Sequence, residues 1–431
     1  MLDVTVFTVN GDYTFSINEE NDSTFILYLY SEFLIIFSSI DYENKVVKFH
    51  FQQKMDDSLR EKINKWVKLY EPVNIQLRKI KKYFESIPDG EYFFIFPFST
   101  FSLKDTMIIF ERLKALNKGK NQDEIDREIA KVQKDYDEIF GDLLRKYELI
   151  TFDTKKKNIW GEHCKEKRRC RYCNKTMNDG VHFKNIAHAI SEALGNKTII
   201  SAEECDTCNS KFAETIEKDI IKYLHLYRTL YGKKGKNGVP HLKYDNGVEI
   251  KYYGENAILI DTEGVCKFNQ EDDFTIPLKD TINFMNIYRA LVKFVIGVIP
   301  REYLQHCQKT IDWLNNIKND GSKLDLPPVA TLLDNRFYHD QPELVIYIRK
   351  EDCKEFPFIY AEFRTTFLIF VFIVPFSDKD SVDFSCKENF DRFWQLNKHF
   401  CLTEKWIFND FNVDKDLILT MNLNFQKQNN E

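Results

Sequence analysis

Glycine and proline are both scarce, 15 and 11 among 431 residues. That excludes collagen-like and low-complexity chains and leaves little material for long flexible linkers. Cysteine is thin as well. Ten in a chain of this length, most of them scattered, are too few for a disulfide scaffold. Such usage fits a reducing compartment, so a cytoplasmic protein is expected. No apolar run approaches the roughly 20 residues that a membrane-spanning helix needs. The longest, residues 33–37 and 366–376, read as buried strands. Residues 1–4 (MLDV) have neither the basic nor the apolar stretch of a secretory leader, so none is expected. Overall positive charge is also missing, the formal net charge being −6. Its distribution is uneven. Residues 151–240 carry 18 Lys and Arg against 11 Asp and Glu, an excess of +7 that leaves −13 on the remainder. A nucleic-acid-binding surface is therefore expected in this stretch.

Aromatic mass is abundant, with 37 Phe and 21 Tyr, which favours large buried contacts. A chain of 431 residues is too long for one compact core. Three parts are expected: an N-terminal α+β region at 1–150, a middle module at 151–232 and a C-terminal α+β region at 233–431. In the first, residues 3–17 alternate about Asn10-Gly11 as a hairpin. Residues 24–51 supply three further strands. Residues 55–70 hold a helix with Leu59, Ile63, Trp66 and Leu69 as its stripe, ended by Pro72. A second helix covers 74–86, a strand region 90–101, and charged helices 105–117 and 122–149, broken at Asn117-Lys118-Gly119. In the last part, 241–260 form a hairpin about Asn246-Gly247, and 278–318 hold helices with Phe284, Ile287, Leu291, Phe294 and Val295 as a core stripe. Residues 343–376 form a central sheet and 388–399 a helix, and the polar tail after Asn422 frays. Neither flank carries a nucleotide loop, a catalytic triad or a repeat. His306, His339 and His399 stand alone as structural residues.

The chemistry is concentrated in the middle. Cys170 and Cys173 form one Cys-x-x-Cys pair, and Cys205 and Cys208, after 31 intervening residues, form a second. Each pair sets two thiolates on one tight knuckle, and four thiolates close a tetrahedral zinc shell. A closed shell cannot polarise water, so this metal is structural. His163 and Cys164 are then surplus surface residues, and His182 is a surface or structural one. Between the knuckles the alternating run HFKNIAHAI places His188 on a strand. After the second knuckle Asn209 opens a helix with Phe212, Ile216, Ile220, Tyr223 and Leu224 on one face. Basic residues surround both knuckles: Lys155, Lys156, Lys157, Lys165, Lys167, Arg168, Arg169, Arg171, Lys233, Lys234 and Lys236.

In this combination residues 165–222 resemble the HNH endonucleases, the ββα-metal or His-Me finger class. The nearest variety carries H-x-I-x-E-x-L-G between two CxxC knuckles and C-x-x-C-N at the second. The matching residues are His188, Ile190, Glu192, Leu194 and Gly195, then Cys205, Cys208 and Asn209, with Phe212, Ile216 and Glu217 along the following helix. The resemblance implies an α+β, multi-domain chain in which a central ββα-metal module, stapled by zinc, lies between two larger α+β regions. It implies DNA as substrate, a structural Zn²⁺, a catalytic Mg²⁺ or Mn²⁺, His188 as general base and Asn209 as ligand of the catalytic ion. The residue chemistry agrees. A neutral imidazole takes a proton from water near neutral pH, and a carboxamide oxygen is a hard ligand for such ions. Lys184, Lys211, Arg168, Arg169 and Arg171 would grip phosphates. The chain departs from the family pattern at Ala187, where an acidic residue often precedes the histidine, and at Ala213, a ligand position in some relatives. Glu217 lies about 12 Å along the helix from Asn209, too far to share one small ion, whereas Glu192 can reach in from the loop.

A rival reading needs no catalysis. His188 would be a structural histidine, Asn209 a helix cap, and the basic clusters solvated faces. The chain would then be a zinc-stabilised module that binds nucleic acid or protein, and the two alanines favour it. By analogy with HNH effectors of anti-phage defence, the large flanks would gate a nuclease, dock a regulatory partner or form a homodimer.

Overall fold

The structure, a computed structural model, describes residues 2–17, 23–72, 77–152, 154, 156–235, 238–254, 257–262, 274–334, 336, 338–350 and 353–425. Alternation at the start folds as a hairpin: strands Leu2–Thr8 and Gly11–Ile17 pair antiparallel, with Thr8 opposite Gly11. The connecting residues are Val9 and Asn10, one position earlier than Asn10-Gly11 suggests. Gly11 opens the second strand at φ 137°, a conformation that favours glycine. Strands Tyr92–Phe96 and Gln52–Lys54 complete a four-stranded antiparallel sheet in the first of two compact units, Met1–Gly141.

Residues 23–36 correct the sequence reading. They form the helix Ser23–Ile36, not strands, and only Ser38–Asp41 and Val46–Phe49 are strands here. Ile26, Leu29, Phe33 and Phe37 are buried at helical spacing. The density of aromatic and β-branched residues hid that period, and no glycine or proline interrupts it. Phe33 and Phe37 meet Trp66 and Phe84, at ring separations of 4.8 and 5.9 Å. The helix Asp57–Tyr70 is capped by Asp56, which accepts from the Leu59 N–H at 2.7 Å. Its buried stripe is Leu59, Ile63, Trp66 and Val67, while Leu69 is 64% exposed.

The second unit, Asp142–Glu431, is built on a six-stranded antiparallel sheet. Its order is Ile407–Asn409, Val329–Leu333, Leu368–Ile373, Ile359–Thr366, His339–Arg349 and Tyr147–Thr151. The helix expected at 122–149 thus ends at Lys146, and the following residues form the edge strand. Leu242–Lys243 and Glu249–Gly254 pair as the hairpin expected about Asn246-Gly247, with Ala257–Asp261 as a third strand. The long strand Phe274–Asn283 pairs with Asp416–Phe425, so residues 422–425 are tied into a ladder and do not fray. The rest of the tail, 426–431, lies outside the described residues, as do Lys155 and Lys236.

The helix Phe284–Ile296 is buried at every position from Met285 to Ile296. It shares one core with the six-stranded sheet and with the cysteine-bearing stretch, including Tyr172, Ala189, Ile190, Phe212 and Ile216. A helix dry on all sides must supply partners for its polar residues. Asn286 donates to Asp219 at 2.8 Å, and Arg289 pairs with Asp414 at 2.8 Å. Lys293 pairs with Glu204 at 3.1 Å and with Glu217 at 2.8 Å. No helix among the described residues is long and apolar enough to cross a membrane.

Removing the buried ammonium leaves two carboxylates without a counter-charge. Lys293→Met should therefore lower the unfolding free energy by about 3–5 kcal/mol, measured by denaturant titration of the zinc-loaded chain; a loss below about 1 kcal/mol would show that the cluster bears little of the fold's stability.

A pH effect follows from His225 in the helix Lys218–Leu230. Burial, with Arg228 adding to it, pushes this imidazole down to about 4 from its ordinary 6.5. It is neutral in the fold and charges on unfolding, so its share of stability is present above pH 6.5 and lost as pH falls toward 4. His225→Leu should flatten that part of the acid stability profile.

Candidate functional site

Both knuckles are closed by backbone hydrogen bonds. In the first, the Cys170 N–H donates to the Lys175 carbonyl at 2.9 Å and the Asn174 N–H to the Cys170 carbonyl at 3.0 Å. Asn174 takes a φ of 58°, which asparagine tolerates better than most residues. In the second, Cys205 starts the helix Asp206–Phe212 and Cys208 lies in its first turn. The four sulfurs, of Cys170, Cys173, Cys205 and Cys208, lie within 4.8 Å of one another. Those of Cys173 and Cys205 are 3.8 Å apart. A tetrahedron of thiolates about 2.3 Å from an ion has edges of about 3.8 Å. The cluster could therefore hold one metal ion, and its soft donors suit zinc. It is also dry, with Cys170, Cys205 and Cys208 buried. The hydrogen bond from Cys208 holds the Cys170 thiol down to about 5, while burial pushes Cys205 up to about 12. Crowded sulfurs of this kind cannot all ionise without a cation among them, and the donor set fits that role.

Between the knuckles the chain doubles back. The Ala189 N–H donates to the Ile199 carbonyl at 3.1 Å and the Ser201 N–H to the Ala187 carbonyl at 2.9 Å. His188 stands opposite Ile200 in this short antiparallel pair. Ile199–Ser201 also pairs in parallel with Asn158–Trp160. Two short strands followed by the helix Asp206–Phe212 make a ββα arrangement. Strand alternation buries Ala187 and Ala189 and leaves His188 half-buried on the other side. Asn196 pins the returning loop. Its amide donates to the carbonyls of Ile190 and Ile199 at 2.8 and 2.9 Å and accepts from the N–H groups of Thr198 and Ile199 at 3.1 and 3.0 Å. Sequence reasoning missed this role, for which a lone asparagine after Leu194-Gly195 was the one signal. Asp206 ties the same stretch to the helix. Its carboxylate accepts from the N–H groups of Lys184 and Asn185 at 3.2 and 3.0 Å, and its own N–H donates to the His182 carbonyl at 2.8 Å.

His188 and Asn209 line one open cleft of about 710 Å³, together with Glu192, Lys157, Asn185, Ile186 and Lys197. Asn209 is not the helix cap. Cys205 holds that position, Asn209 is the fourth residue of the helix, and its carboxamide has no hydrogen-bond partner among the described residues. Glu192 enters from the short turn Glu192–Leu194, which begins at Ser191 and closes at Gly195 with a φ of 94°. Glu217 is elsewhere, buried against Lys293. Ala187 lies in the core and Ala213 is exposed, so neither puts a donor side chain into the cleft.

The five basic residues expected to hold phosphates are placed very differently. Arg171 is a correction. It is 5% exposed, pairs with Glu203 at 3.1 Å and donates to the carbonyls of Ile296 and Ile299, which leaves no guanidinium face for a ligand. Lys211 donates to the backbone and side-chain oxygens of Asn315 at 2.9 and 3.1 Å. Arg168 donates to the Glu162 and His163 carbonyls, and Arg169, which is exposed, to that of Asn174. Lys184 is exposed. The lysines that do line the cleft are Lys157 and Lys197, and nothing in the sequence singled out the second. His163, Cys164 and His182 are exposed and stand apart from the sulfur cluster.

The family model of the HNH endonuclease matches residues 170–225, which span both knuckles, the paired strands and the helix after them. This segment is thus similar to the HNH endonucleases. No curated protein and no solved structure matches the chain.

The sulfur cluster predicts close to one zinc per chain by elemental analysis. Cys170→Ser or Cys205→Ser should lose most of that metal and, with it, a cooperative thermal transition. Zinc-free protein that melts like the wild type would show that the four thiols are an ordinary core cluster.

Proposed function

We propose that this protein is a metal-dependent endonuclease that hydrolyses DNA phosphodiester bonds, with His188 as general base. The observation that carries the reading is the shared cleft. A histidine on a short strand, a glutamate from the turn after it and an asparagine on the helix after the second knuckle, directly following Cys208, line one open space. Zn²⁺ at Cys170, Cys173, Cys205 and Cys208 serves the fold and not the reaction. Asn209 and Glu192 would hold a Mg²⁺ or Mn²⁺ ion, which when bound supplies positive charge against the phosphate and the leaving oxygen. His188 takes the proton from the attacking water as the bond to the leaving oxygen breaks. Lys157 and Lys197 hold the flanking backbone, with Arg168, Arg169 and Lys184 on exposed or half-buried ground nearby in sequence. The regions 1–150 and 233–431 are read as gate or docking surface around the module at 151–232. That fits an effector of anti-phage defence by analogy alone.

The second reading, a binding module without catalysis, is favoured by the short supply of carboxylates: Glu192 is the one acidic side chain among the cleft residues. Supercoiled plasmid separates the two. The wild type should nick or cut with Mg²⁺ or Mn²⁺ and not with EDTA, and His188→Ala should slow cleavage by about 10²–10⁴-fold with zinc content unchanged. Asn209→Ala and Glu192→Gln should raise the metal concentration needed for half-maximal rate. Plasmid binding without strand breakage under every metal condition would establish the binding module instead.

A further inference from the structure

Five cationic side chains are buried among the described residues: Arg171, Arg228, Arg289, Lys293 and Arg349. Four have carboxylate partners, namely Glu203, Asp414, the Glu204–Glu217 pair and Asp380. Arg228 has none. It is 4% exposed, its Nε lacks a hydrogen-bond partner, and its hydrogen bond from Nη2 to the Lys233 carbonyl is long, at 3.4 Å. An unpaired guanidinium in a dry site is an arrangement that folds seldom keep without an anion to answer it.

Arg228 faces a cavity of about 230 Å³, walled by Leu194 and Gly195, that shares Lys197 with the catalytic cleft. The loop at its edge is shaped around the guanidinium, since a Cβ on Gly235 would lie 2.6 Å from Nη2. Two further cations stand on the rim, Lys197 and Lys234, both exposed and without an ion-pair partner among the described residues. Lys233 is already committed, to Asp340 and, at 4.5 Å, to the face of Tyr338. Asp340 is the one acid on the rim and is 80% exposed. The chemistry of the cavity is therefore that of a small anion with several acceptor oxygens.

We propose that this cavity binds a phosphate group, with Arg228 as the buried anchor and Lys197 and Lys234 as the rim. Fork-shaped donors and point charges together are the usual means of holding such a group. The wall shared with the cleft points to a backbone phosphate of the strand being cut, a few bonds from the scissile one, and that identification rests on the nuclease reading. The phosphate site itself does not, because a free nucleotide would meet the same donors.

The test is thermal unfolding of the full zinc-loaded chain in inorganic phosphate against chloride at equal ionic strength. Phosphate should raise the melting temperature of the wild type and of His188→Ala alike. Arg228→Met should weaken the apparent phosphate affinity by at least about tenfold. Lys234→Glu, a surface change that reads the site even where Arg228→Met fails to fold, should weaken it by about threefold or more. No rise in the wild type beyond that in chloride, or an undiminished rise in both variants, overturns the proposal. Two arms then identify the source, both on the zinc-loaded chain without added Mg²⁺ or Mn²⁺. If Arg228→Met weakens binding of a DNA oligonucleotide and AMP leaves the melting temperature alone, the ligand is the strand. If AMP raises it and oligonucleotide binding is unchanged, the ligand is a free nucleotide. Failure of the nuclease reading would leave the phosphate response of the wild type and His188→Ala in place, whereas failure of the pocket would leave plasmid cleavage in place.

Discussion

The ammonium of Lys293 holds three parts of the candidate site at once. It sits on a helix with no solvent-exposed face and pairs with Glu204, which immediately precedes the second knuckle, and with Glu217, on the helix that follows it. It also donates to the backbone carbonyl of His188 at 3.4 Å. In a dry interior these interactions are strong and so is the penalty for leaving any of the charges alone. The second knuckle, the helix after it and the strand carrying His188 are thereby referred to one point. The helix carrying Glu217 adapts to reach it: residues Ala213–Glu217 form a π-helical turn between Asp206–Phe212 and Lys218–Leu230, the kind of local widening that lets a side chain depart from the regular spacing.

A parallel arrangement secures the first knuckle. Arg171, between Cys170 and Cys173, reaches the carbonyls of Ile296 and Ile299 at the end of the same buried helix, and Glu203 joins it to Arg301 at 2.9 Å. Neighbouring carboxylates, Glu203 and Glu204, thus answer three cations, Arg171, Arg301 and Lys293, just before Cys205. The segment of HNH type is consequently not a free-standing finger. Small zinc modules rely on the metal because their cores are meagre, but here residues 170–225 share a core with the helix Phe284–Ile296 and the sheet behind it. Side chains on a short strand and a helix, each fixed from below, are better held for chemistry than side chains on a loop.

What could be read from the sequence follows from this construction. The knuckles were legible because metal chemistry demands cysteines at set spacing, and the strand–loop–helix order between and after them was legible because the pattern is local. Charge was misread wherever the partner is distant in the chain. Arg171 looked like a phosphate contact because two of its acceptors lie more than 120 residues away, at Ile296 and Ile299, and Lys211 looked free because Asn315 holds it from 104 residues along. The N-terminal helix Ser23–Ile36 was lost for a different reason. Its residues favour strands individually, and tertiary burial of Ile26, Leu29 and Phe33 on one face decided the matter.

The sparse acidity of the cleft shapes how a cation and a nucleic acid would meet there on the proposed reading. Glu192 carries a charge and Asn209 does not, while Lys157 and Lys197 bring two positive charges to the same walls. Such a cleft attracts a polyanion before it attracts a divalent ion. Ala187 cannot change this, because strand alternation turns its position into the core next to Ala189. The oxygens missing from the shell must then come from the phosphate and from water, as magnesium's preference for keeping several waters allows. Ion and strand would depend on each other for affinity, and tight metal binding in the absence of nucleic acid is not what these residues are arranged to provide. On the proposed reading, a nuclease built this way would hold its hydrolytic ion firmly when a phosphate is present to be cut, and a cation-rich wall, extended by Arg228 beyond the shared Lys197, would bring that phosphate in.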